Sequence, residues 1–346
     1  MTVRDWRTIA ATEMARLYAT ETARWIRDLA WDSASALVAV EAARTTWGLP
    51  GLVSVDVRGR VRGWTFYLPV QDRLDVGGFV SDSPDTTTAL VDAVIERAGS
   101  SQRLGGLVYA TAPGLASTLA SRHVPCERYS YRLRRLDETS GSAVTCGTRP
   151  LVRPPDVLRH WSESDIDATS ELLYESYERN AGPIGPGATL DDWHGYVTNL
   201  VRHAGCGTLL PALSRVLTVD GVVTAAALVS TIAAPTAHLV QLAVHRAHQG
   251  TGLGRMLLAA AVDASQSAGF SAMSLLVAEN NEAALRLYQE AGFTEQATFI
   301  SFSSAEISGD QGDENGLRPN SELRTPNSER RTPNPELRTG NAEPEA

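Results

Sequence analysis

A glycine-rich turn from Gln249 to Arg255 carries the residues of this chain best suited to binding an anion. It lies between an apolar segment typical of a strand, Ala237–Val244, and a segment typical of a helix, Met256–Ser265. The first backbone N–H groups of such a helix have no partner within it, and glycines let a phosphate approach them closely. The helix dipole favours negative charge at the same place, and Arg255 adds a cation. The turn therefore predicts a cradle for a pyrophosphate group.

The glycine spacing by itself does not identify the ligand. It fits neither the Gly-x-Gly-x-x-Gly dinucleotide motif nor the Gly-Lys-Ser/Thr ending of a nucleoside triphosphate loop. A second pattern follows further along the chain. Residues 272–277 read as a buried strand, and a short amphipathic helix begins near Asn281 and ends at Gly292.

Together these two patterns resemble the Gcn5-related N-acetyltransferase (GNAT) superfamily. Gln249-x-x-Gly252-x-Gly254 matches the Gln/Arg-x-x-Gly-x-Gly/Ala motif of the family at every defined position. The downstream family motif is matched by Asn281-x-x-Ala284-x-x-Leu287-Tyr288-x-x-x-Gly292-Phe293. The resemblance covers residues 148 to 305. It implies the GNAT fold, of the α/β (α+β) class, with a mixed twisted sheet flanked by helices. It also implies transfer of the acetyl group of acetyl-CoA to a primary amine by direct attack.

The resemblance implies roles for individual residues as well. The strand residues whose backbone pairs with the pantetheine arm of acetyl-CoA would be Leu242, Ala243 and Val244. The pyrophosphate would be bound by the turn, which consists of Gln249, Gly250, Thr251, Gly252, Leu253, Gly254 and Arg255. Asn281 would contact the pantetheine or the pyrophosphate, although an asparagine at this place also fits a plain helix cap. No metal is expected.

Tyr288 occupies the position where the family has a general acid beside the CoA sulfur. A phenol with the ordinary pKa of about 10 stays protonated at neutral pH and can donate its proton to a departing thiolate. The alternative is that Tyr288 only packs, since a tyrosine on a helix that faces a sheet is usually part of the core. A cysteine nucleophile at Cys206 is not expected, because the superfamily transfers the acetyl group directly and no third orienting group is evident.

The general base stays open at this point. The polar residues on the strand and just beyond it are His238, Gln241 and His245. A glutamine cannot accept a proton, and a lone histidine such as His238 is more often structural than catalytic. A water-mediated base, or a carboxylate such as Glu175 or Glu178, is the alternative.

The acceptor is expected to lie against the segment from Tyr174 to Trp193, which relatives use to wall the acceptor site. Its carboxylates and aromatic rings suit a cationic amine, whereas the plain alternative is a solvated helix face followed by a turn. A small-molecule amine is the favoured acceptor, because a second domain can enclose a pocket. The alternatives are a protein N terminus or lysine as acceptor, or a non-catalytic acetyl-CoA-binding regulatory module.

The first half of the chain repeats the predicted order of elements in the second half: helix, hairpin, strand, helix, strand, helix, strand. This order predicts a tandem-GNAT protein, with a degenerate GNAT-like domain at 1–140 and a catalytic GNAT domain at 148–305. An unrelated α/β domain is the alternative for the first half. The first copy is expected to be degenerate because Ser81–Asp85 replaces the glycine turn with two carboxylates, which would repel a pyrophosphate. Asp85 is predicted to cap the following helix.

Residues 306–346 contain a seven-residue repeat whose copies begin at Pro319, Pro326 and Pro333. Each copy carries a proline and at most one large apolar residue, which excludes both a continuous helix and a core. The segment is therefore predicted to be a disordered tail, with a binding motif as the alternative.

Composition excludes several other classes of protein. The 346 residues carry a net charge of −9, and all 31 basic residues are arginine, with no basic face for nucleic acid. No apolar run is long enough to cross a membrane, and the first residues lack the core of a signal peptide. Three widely spaced cysteines, Cys126, Cys146 and Cys206, indicate neither disulfides nor zinc. We expect a cytoplasmic protein without membrane or nucleic-acid partners, and the oligomeric state stays open.

Overall fold

The computed structural model describes residues 1–70, 73–99, 102–136, 156–177, 189–202 and 207–304. The predicted tail at 306–346 lies outside these ranges, as do Cys146, Glu178 and Cys206. Residues Met1–Ile307 belong to one compact unit.

The first half of the chain begins with a strand and two helices and continues with alternating strands and helices. Its elements are β1 (Thr2–Asp5), α1 (Ala11–Leu29), α2 (Ala34–Thr46), β2 (Gly51–Val55), β3 (Val61–Val70), β4 (Arg73–Ser81), α3 (Pro84–Ala98), β5 (Arg103–Tyr109), α4 (Leu115–Ser121) and β6 (Cys126–Arg135).

The second half follows the same order, with one additional two-residue strand. Its elements are β7 (Val157–His160), α5 (Ile166–Ser176), α6 (Leu190–Arg202), β8 (Thr208–Leu209), β9 (Arg215–Val219), β10 (Val222–Ala233), β11 (Thr236–Val244), α7 (Leu253–Ser267), β12 (Ala272–Ala278), α8 (Glu282–Glu290) and β13 (Thr294–Ser303).

The two halves therefore correspond element by element, apart from β8. The hairpin turns correspond as well: Gly59 between β2 and β3 and Gly221 between β9 and β10 have φ angles of +76° and +82°. Both angles lie in the left-handed region, which glycine adopts without the steric cost of a Cβ. The predicted repeat of elements is confirmed, and the structure adds α6 and the short strands β1, β7 and β8, which the sequence analysis did not predict.

All thirteen described strands form one mixed sheet. Its order is β1-β2-β3-β4-β5-β13-β6-β12-β11-β10-β9-β7, with β8 attached to β10. This order reads the same from either edge once each strand is replaced by its counterpart in the other half. The centre of the repeat lies between β13 and β6, where Thr298 pairs with Ser130.

The last strand of each half completes the sheet of the other half. The first half's β6 pairs with β12 in antiparallel register from Arg135 opposite Ala272 to Tyr129 opposite Ala278. The second half's β13 pairs in the same way with β5, where Phe299 lies opposite Tyr109. The two halves are thus joined by backbone hydrogen bonds through an exchange of strands. The predicted domain boundary between residues 140 and 148 lies outside the described residues and stays a prediction.

Helices cover both faces of the sheet. In β12, the alternate residues Met273, Leu275 and Val277 belong to the core beneath α7 and α8, whereas Ala272 and Leu276 face the end of α1. The same alternation in the other strands places α1, α2, α5 and α6 on one face, and α3, α4, α7 and α8 on the opposite face.

The start of α3 differs from the prediction. Ser83, not Asp85, is the N-cap, because its side chain accepts a hydrogen bond from the backbone N–H of Thr86. Pro84 occupies the first helical position, where its missing N–H costs nothing, so the cap precedes it. Asp85 lies in the first turn of the helix instead.

His238 belongs to the core between the two halves. Its Nδ1 lies 2.9 Å from Oγ of Ser274 on the neighbouring strand β12. Its ring packs edge-to-face against Trp31 from the first half, with ring centroids 5.7 Å apart. Burial lowers the pKa of His238 to about 4, so the imidazole is neutral at physiological pH. These contacts agree with the structural role that the sequence favoured for this residue.

We predict that His238 makes stability depend on pH in the acidic range. Between pH 6.5 and about pH 4 the unfolded chain binds a proton at this position and the folded chain does not, so the free energy of unfolding falls as the pH is lowered. The loss attributable to His238 reaches about 3 kcal/mol at pH 4. Urea unfolding of the parent and of His238→Gln across this range measures it. The variant should give the flatter curve, and parallel curves would contradict the assignment.

Candidate active site

The parallel strands β11 and β12 separate along their length. They pair from Thr236 opposite Ala272 to Leu239 opposite Leu275, and the pairing stops there. Beyond that point β11 continues to Val244 paired only with β10, and β12 continues to Ala278 paired only with β6. Between the two strands a wedge therefore opens toward their carboxyl ends, with unpaired backbone groups along its sides.

The last three residues of β11 along this wedge are Leu242, Ala243 and Val244. On the far side of the strand they pair with β10, and a bulge just before them shifts the register between the two strands. The side chains of Leu242 and Val244 pack beneath α7, and that of Ala243 packs toward α5 and α6. Their side chains are thus part of the core, and only their backbone groups face the wedge, as the sequence analysis expected.

The glycine turn closes the wide end of the wedge. Gly250 and Gly252 have φ angles of +73° and +92°, which favour glycine. Helix α7 starts at Leu253, which is buried, and Gly252 provides no side-chain cap. The N–H groups of Leu253, Gly254 and Arg255 accordingly have no acceptor among the described residues. A helix N-terminus of this kind fits the phosphate cradle predicted from the sequence.

The other residues of the turn bind back onto the chain. Gln249 donates from Nε2 to the carbonyl oxygen of Val244 at 3.0 Å, and Thr251 donates its hydroxyl to the carbonyl oxygen of His248. Arg255 forms an ion pair with Glu290 of α8. Its charge is therefore already partnered in this structure, which weakens the expectation that it adds an uncompensated cation to the cradle.

Tyr288 lies on α8 with its ring almost fully buried and packed against Phe293, the ring centroids 6.0 Å apart. Its hydroxyl has no hydrogen-bond partner in the described part of the chain. Burial raises the pKa of Tyr288, and the nearby Tyr177 hydroxyl raises it further. The residue thus packs in the core and also holds a proton firmly, so the structure is compatible with both interpretations of its role.

A polar chain lies on the other face of the wedge. Tyr177, just after α5, donates its hydroxyl to Oε1 of Gln241 at 2.8 Å, and Nε2 of Gln241 donates to the hydroxyl of Tyr196 at 2.7 Å. Tyr177 stacks on Trp193 with centroids 5.2 Å apart. Although 38% of Tyr177 is exposed, its hydroxyl lies among protein atoms, and burial raises its pKa to about 12.

Tyr196 was missed by the sequence analysis because α6 was not predicted. The helical spacing of Trp193, Val197 and Leu200 in 190–202 is the signal that was available. Gln241 was dismissed as a base, and its observed role is to orient the two tyrosine hydroxyls.

The candidate bases and Asn281 are also placed by the structure. His245 pairs through Nε2 with Glu175 at 3.0 Å, and its Nδ1 accepts the N–H of Ala247. The side chain of Asn281 accepts the N–H of Ala284, which confirms its interpretation as the cap of α8. Its contact with a ligand stays a prediction. No cluster of potential metal ligands occurs among the described residues.

The first half retains the wedge but not the residues that would bind a ligand in it. The parallel pairing of β4 and β5 ends at Val76 opposite Gly106. Only Asp82 and Ser83 connect β4 to α3, and Ser83 caps that helix. Leu119 occupies the place of Tyr288, because it accepts the N–H of the residue five positions later, as Tyr288 does. Apolar side chains fill the opening, and they are Val76, Phe79, Val91, Val94, Leu104, Leu115, Leu119 and Phe302.

Comparison with known proteins agrees with this architecture. Residues 167–293 match the model of the acetyltransferase (GNAT) family. The fold is similar to a GCN5-related N-acetyltransferase from Sphaerobacter thermophilus, with a TM-score of 0.59, 16% identity, and coverage of 87% of this chain and 95% of that one. It is also similar to a tandem GNAT protein from the clavulanic acid biosynthesis pathway, with a TM-score of 0.51, 18% identity, and coverage of 76% and 84%. No curated protein matches the chain.

The wedge and the uncapped glycine turn both lie within the part of the second half that matches the acetyltransferase (GNAT) family. The family match covers residues 167–293, and the repeated fold of the whole chain is similar to that of a tandem GNAT protein. None of the described helices is long and apolar enough to span a membrane.

We predict that acetyl-CoA binds with a stoichiometry near one per chain and that Gly252→Glu weakens this binding by about a hundredfold or more. The added carboxylate would face the pyrophosphate, and like charges in contact cost several kcal/mol. Titration calorimetry measures both quantities.

The matched control is Gly221→Glu, which adds the same charge at a glycine with a similar positive φ in the turn between β9 and β10, where a Cβ meets nothing within 4 Å. Equal weakening in both variants would show that backbone strain, not the cradle, is responsible. A stoichiometry near two would mean that the first half also binds.

Proposed function

We propose that the protein transfers the acetyl group of acetyl-CoA to a primary amine by direct attack. The observation that carries the proposal is that several features suited to acetyl transfer lie at the open end of the wedge between β11 and β12. The unpaired edge of β11 and the uncapped start of α7 meet there, and Val244 of β11 and Leu287 of α8 both lie beside Gly254. We infer that the hydroxyl of Tyr288, the next residue of α8, reaches the same end. The first half has lost the equivalents of the helix start and of this tyrosine.

Different residues of the second half would bind different parts of acetyl-CoA. The N–H groups at Gly252, Leu253, Gly254 and Arg255 suit the pyrophosphate, since they are donors at the positive end of a helix dipole. The backbone edge of residues 242–244 suits the pantetheine arm, because an extended chain with amides can pair with an open strand. Bound acetyl-CoA would supply its acetyl thioester within the wedge.

Tyr288 is proposed as the proton donor. Its raised pKa keeps the hydroxyl protonated across the physiological range. It lies on the face opposite the polar chain of Tyr177, Gln241 and Tyr196, so a thioester in the wedge would have the donor on one side and the acceptor on the other. A strongly raised pKa also makes the phenol a weak acid, so its hydroxyl contributes by hydrogen bonding to the developing thiolate as well as by transferring the proton.

A small-molecule amine is the proposed acceptor. Strand β6 of the first half pairs with β12 and so borders one side of the wedge. The stacked aromatic rings of Tyr177 and Trp193 lie on the other side. A protein N terminus or lysine is the second candidate within the same chemistry. A non-catalytic module that binds acetyl-CoA would need no proton donor, and the buried hydroxyl of Tyr288 argues against it.

The proposal is tested by measuring free thiol released from acetyl-CoA in the presence of small amines, of peptides with a free N terminus and of lysine peptides. Release that depends on a small amine is the expected result. Thiol release with peptides alone would show that the acceptor is a protein amine and not a small molecule. Tight binding of acetyl-CoA without release in any arm would favour the regulatory module.

We predict that Tyr288→Phe lowers kcat by about a hundredfold, the usual contribution of a general acid, while the Kd of acetyl-CoA changes little. The ring keeps its packing on Phe293, and no protein hydrogen bond in the described chain is lost. Steady-state kinetics with saturating acetyl-CoA measures the first effect and calorimetry the second.

Tyr67→Phe is the control, because Tyr67 is a buried tyrosine of β3 in the first half, far along the sheet from the wedge. Unchanged kcat in Tyr288→Phe would show that another group donates the proton. Greatly weakened binding of acetyl-CoA would show that Tyr288 is a binding residue instead.

We also predict that kcat shows no alkaline decline from ionisation of Tyr288 below about pH 10. The ordinary pKa of a tyrosine is about 10, and burial raises that of Tyr288, so the proton-donating form persists throughout that range. A pH–rate profile from pH 6 to about pH 10 measures this. An alkaline limb with a lower apparent pKa that disappears in Tyr288→Phe would contradict the assignment.

A further inference from the structure

The exchange of strands brings part of the first half to the open end of the wedge. Tyr129 of β6 lies opposite Ala278, the last residue of β12. Glu127 lies two residues earlier on the same face of β6, because side chains alternate along a strand. This face of the sheet is the one that carries α1, α5 and α6. Both residues therefore lie on the side of the wedge opposite α8.

The carboxylate of Glu127 is held in a fixed position by neutral donors. The Tyr129 hydroxyl donates to one carboxylate oxygen at 2.9 Å, and Nδ2 of Asn280, in the loop after β12, donates to the other at 2.9 Å. Glu127 is half-buried and forms no ion pair among the described residues. Its negative charge is thus oriented by one donor from each half of the chain and is not neutralised.

The neighbouring carboxylates differ in this respect. Glu175 is paired with His245, and Glu279, which follows β12, is paired with Arg128. Arg128 lies between Glu127 and Tyr129 in sequence and points to the opposite face of β6. Glu127 therefore brings an uncompensated negative charge to the acceptor face at this end of the sheet.

Two tyrosines, Tyr129 and Tyr177, lie on the same face of the sheet as Glu127. Burial and Glu127 raise the pKa of Tyr129, burial raises the pKa of Tyr288, and the Tyr177 hydroxyl raises both further. Tyr129 binds Glu127 directly. The carboxylate of the first half is thus accompanied by tyrosine hydroxyls on the face of the sheet opposite α8.

We propose that Glu127, held by Tyr129 and Asn280, binds the ammonium group of a cationic primary amine, so that the degenerate first half supplies the acceptor-binding carboxylate of the active site. The proposal rests on the proposed acetyl transfer and deepens it by naming a recognition residue and the charge of the acceptor. The aromatic rings of Tyr129, Tyr177 and Trp193 lie on the same face and favour a cation as well. An acceptor that carries a negative charge beside its amine would be disfavoured.

The test compares Glu127→Gln, Glu127→Asp and Glu279→Gln in the full chain. The acceptors are an aliphatic monoamine, a diamine, an amino sugar, an amino acid amide and a short peptide with a free N terminus. Thiol release gives KM and kcat for each amine. Calorimetry gives the Kd of each amine for the CoA-bound protein, and the Kd of acetyl-CoA alone.

Glu127→Gln should raise the KM and the Kd of the amine about tenfold or more, the usual effect of losing a charged hydrogen bond. Its kcat and its affinity for acetyl-CoA should stay close to those of the parent. Glutamine keeps an oxygen for Tyr129, so a purely structural role would leave the amine constants unmoved. Glu127→Asp should recover part of the affinity, and Glu279→Gln should behave as the parent.

The outcomes separate this proposal from the proposed function. If the parent binds and acetylates amines and Glu127→Gln does so with equal KM, the role of Glu127 is overturned and the transfer reaction stands. If amines bind with the Glu127 dependence described but no thiol is released, the recognition site stands and the transfer reaction is overturned. If the parent binds none of the amines, the recognition site is overturned.

Discussion

The early end of pairing between β11 and β12 is the constraint on which the rest of the second half depends. Past Leu239 and Leu275 the two strands expose backbone donors and acceptors to each other across a gap that they cannot close. Such groups need partners, and a ligand with amides along its length can provide them. The gap opens at the carboxyl ends of parallel strands, where the following turns and helix starts also converge. The uncapped start of α7 therefore lies at this end of the gap, and Leu287 of α8 packs beside Gly254 there.

The first half shows how the same backbone arrangement is completed without a glycine turn. Its parallel strands separate at the corresponding point, after Val76 and Gly106. The turn has shortened to two residues, Ser83 satisfies the helix start, and Leu119 and its apolar neighbours occupy the opening. In each case, groups of the chain itself take the place that a bound ligand would have. The sheet itself is unchanged, because its other functions are to hold β13 and to provide β6.

The sequence was informative where chemistry and local conformation coincide. The glycine turn, Tyr288 and the order of elements are encoded within short stretches, so motif and periodicity suffice to predict them. The strand exchange and the approach of Glu127 to Asn280 join residues far apart in the chain, and neither has a local pattern. Helix α6 was not predicted, because its apolar spacing starts only at Trp193, directly after the polar residues of the acceptor segment. The cap of α3 lies two residues before the predicted one, because Pro84 suits the first helical position and Ser83 therefore caps the helix.

The exchange also shows what the first half, which lacks the cradle, contributes to the second half. Without β6, the strand β12 would lose its partner along seven residues, from Ala272 to Ala278. An apolar edge of that length is prone to pair with other chains. Arg134 of β6 would no longer donate to the carbonyl oxygen of Ala291, at the end of the helix that carries Tyr288. The first half thus completes the sheet, binds the end of α8 and places Glu127 beside Asn280 in the loop after β12. A half that lacks the glycine turn is therefore still part of the framework on which the candidate site of the other half is built.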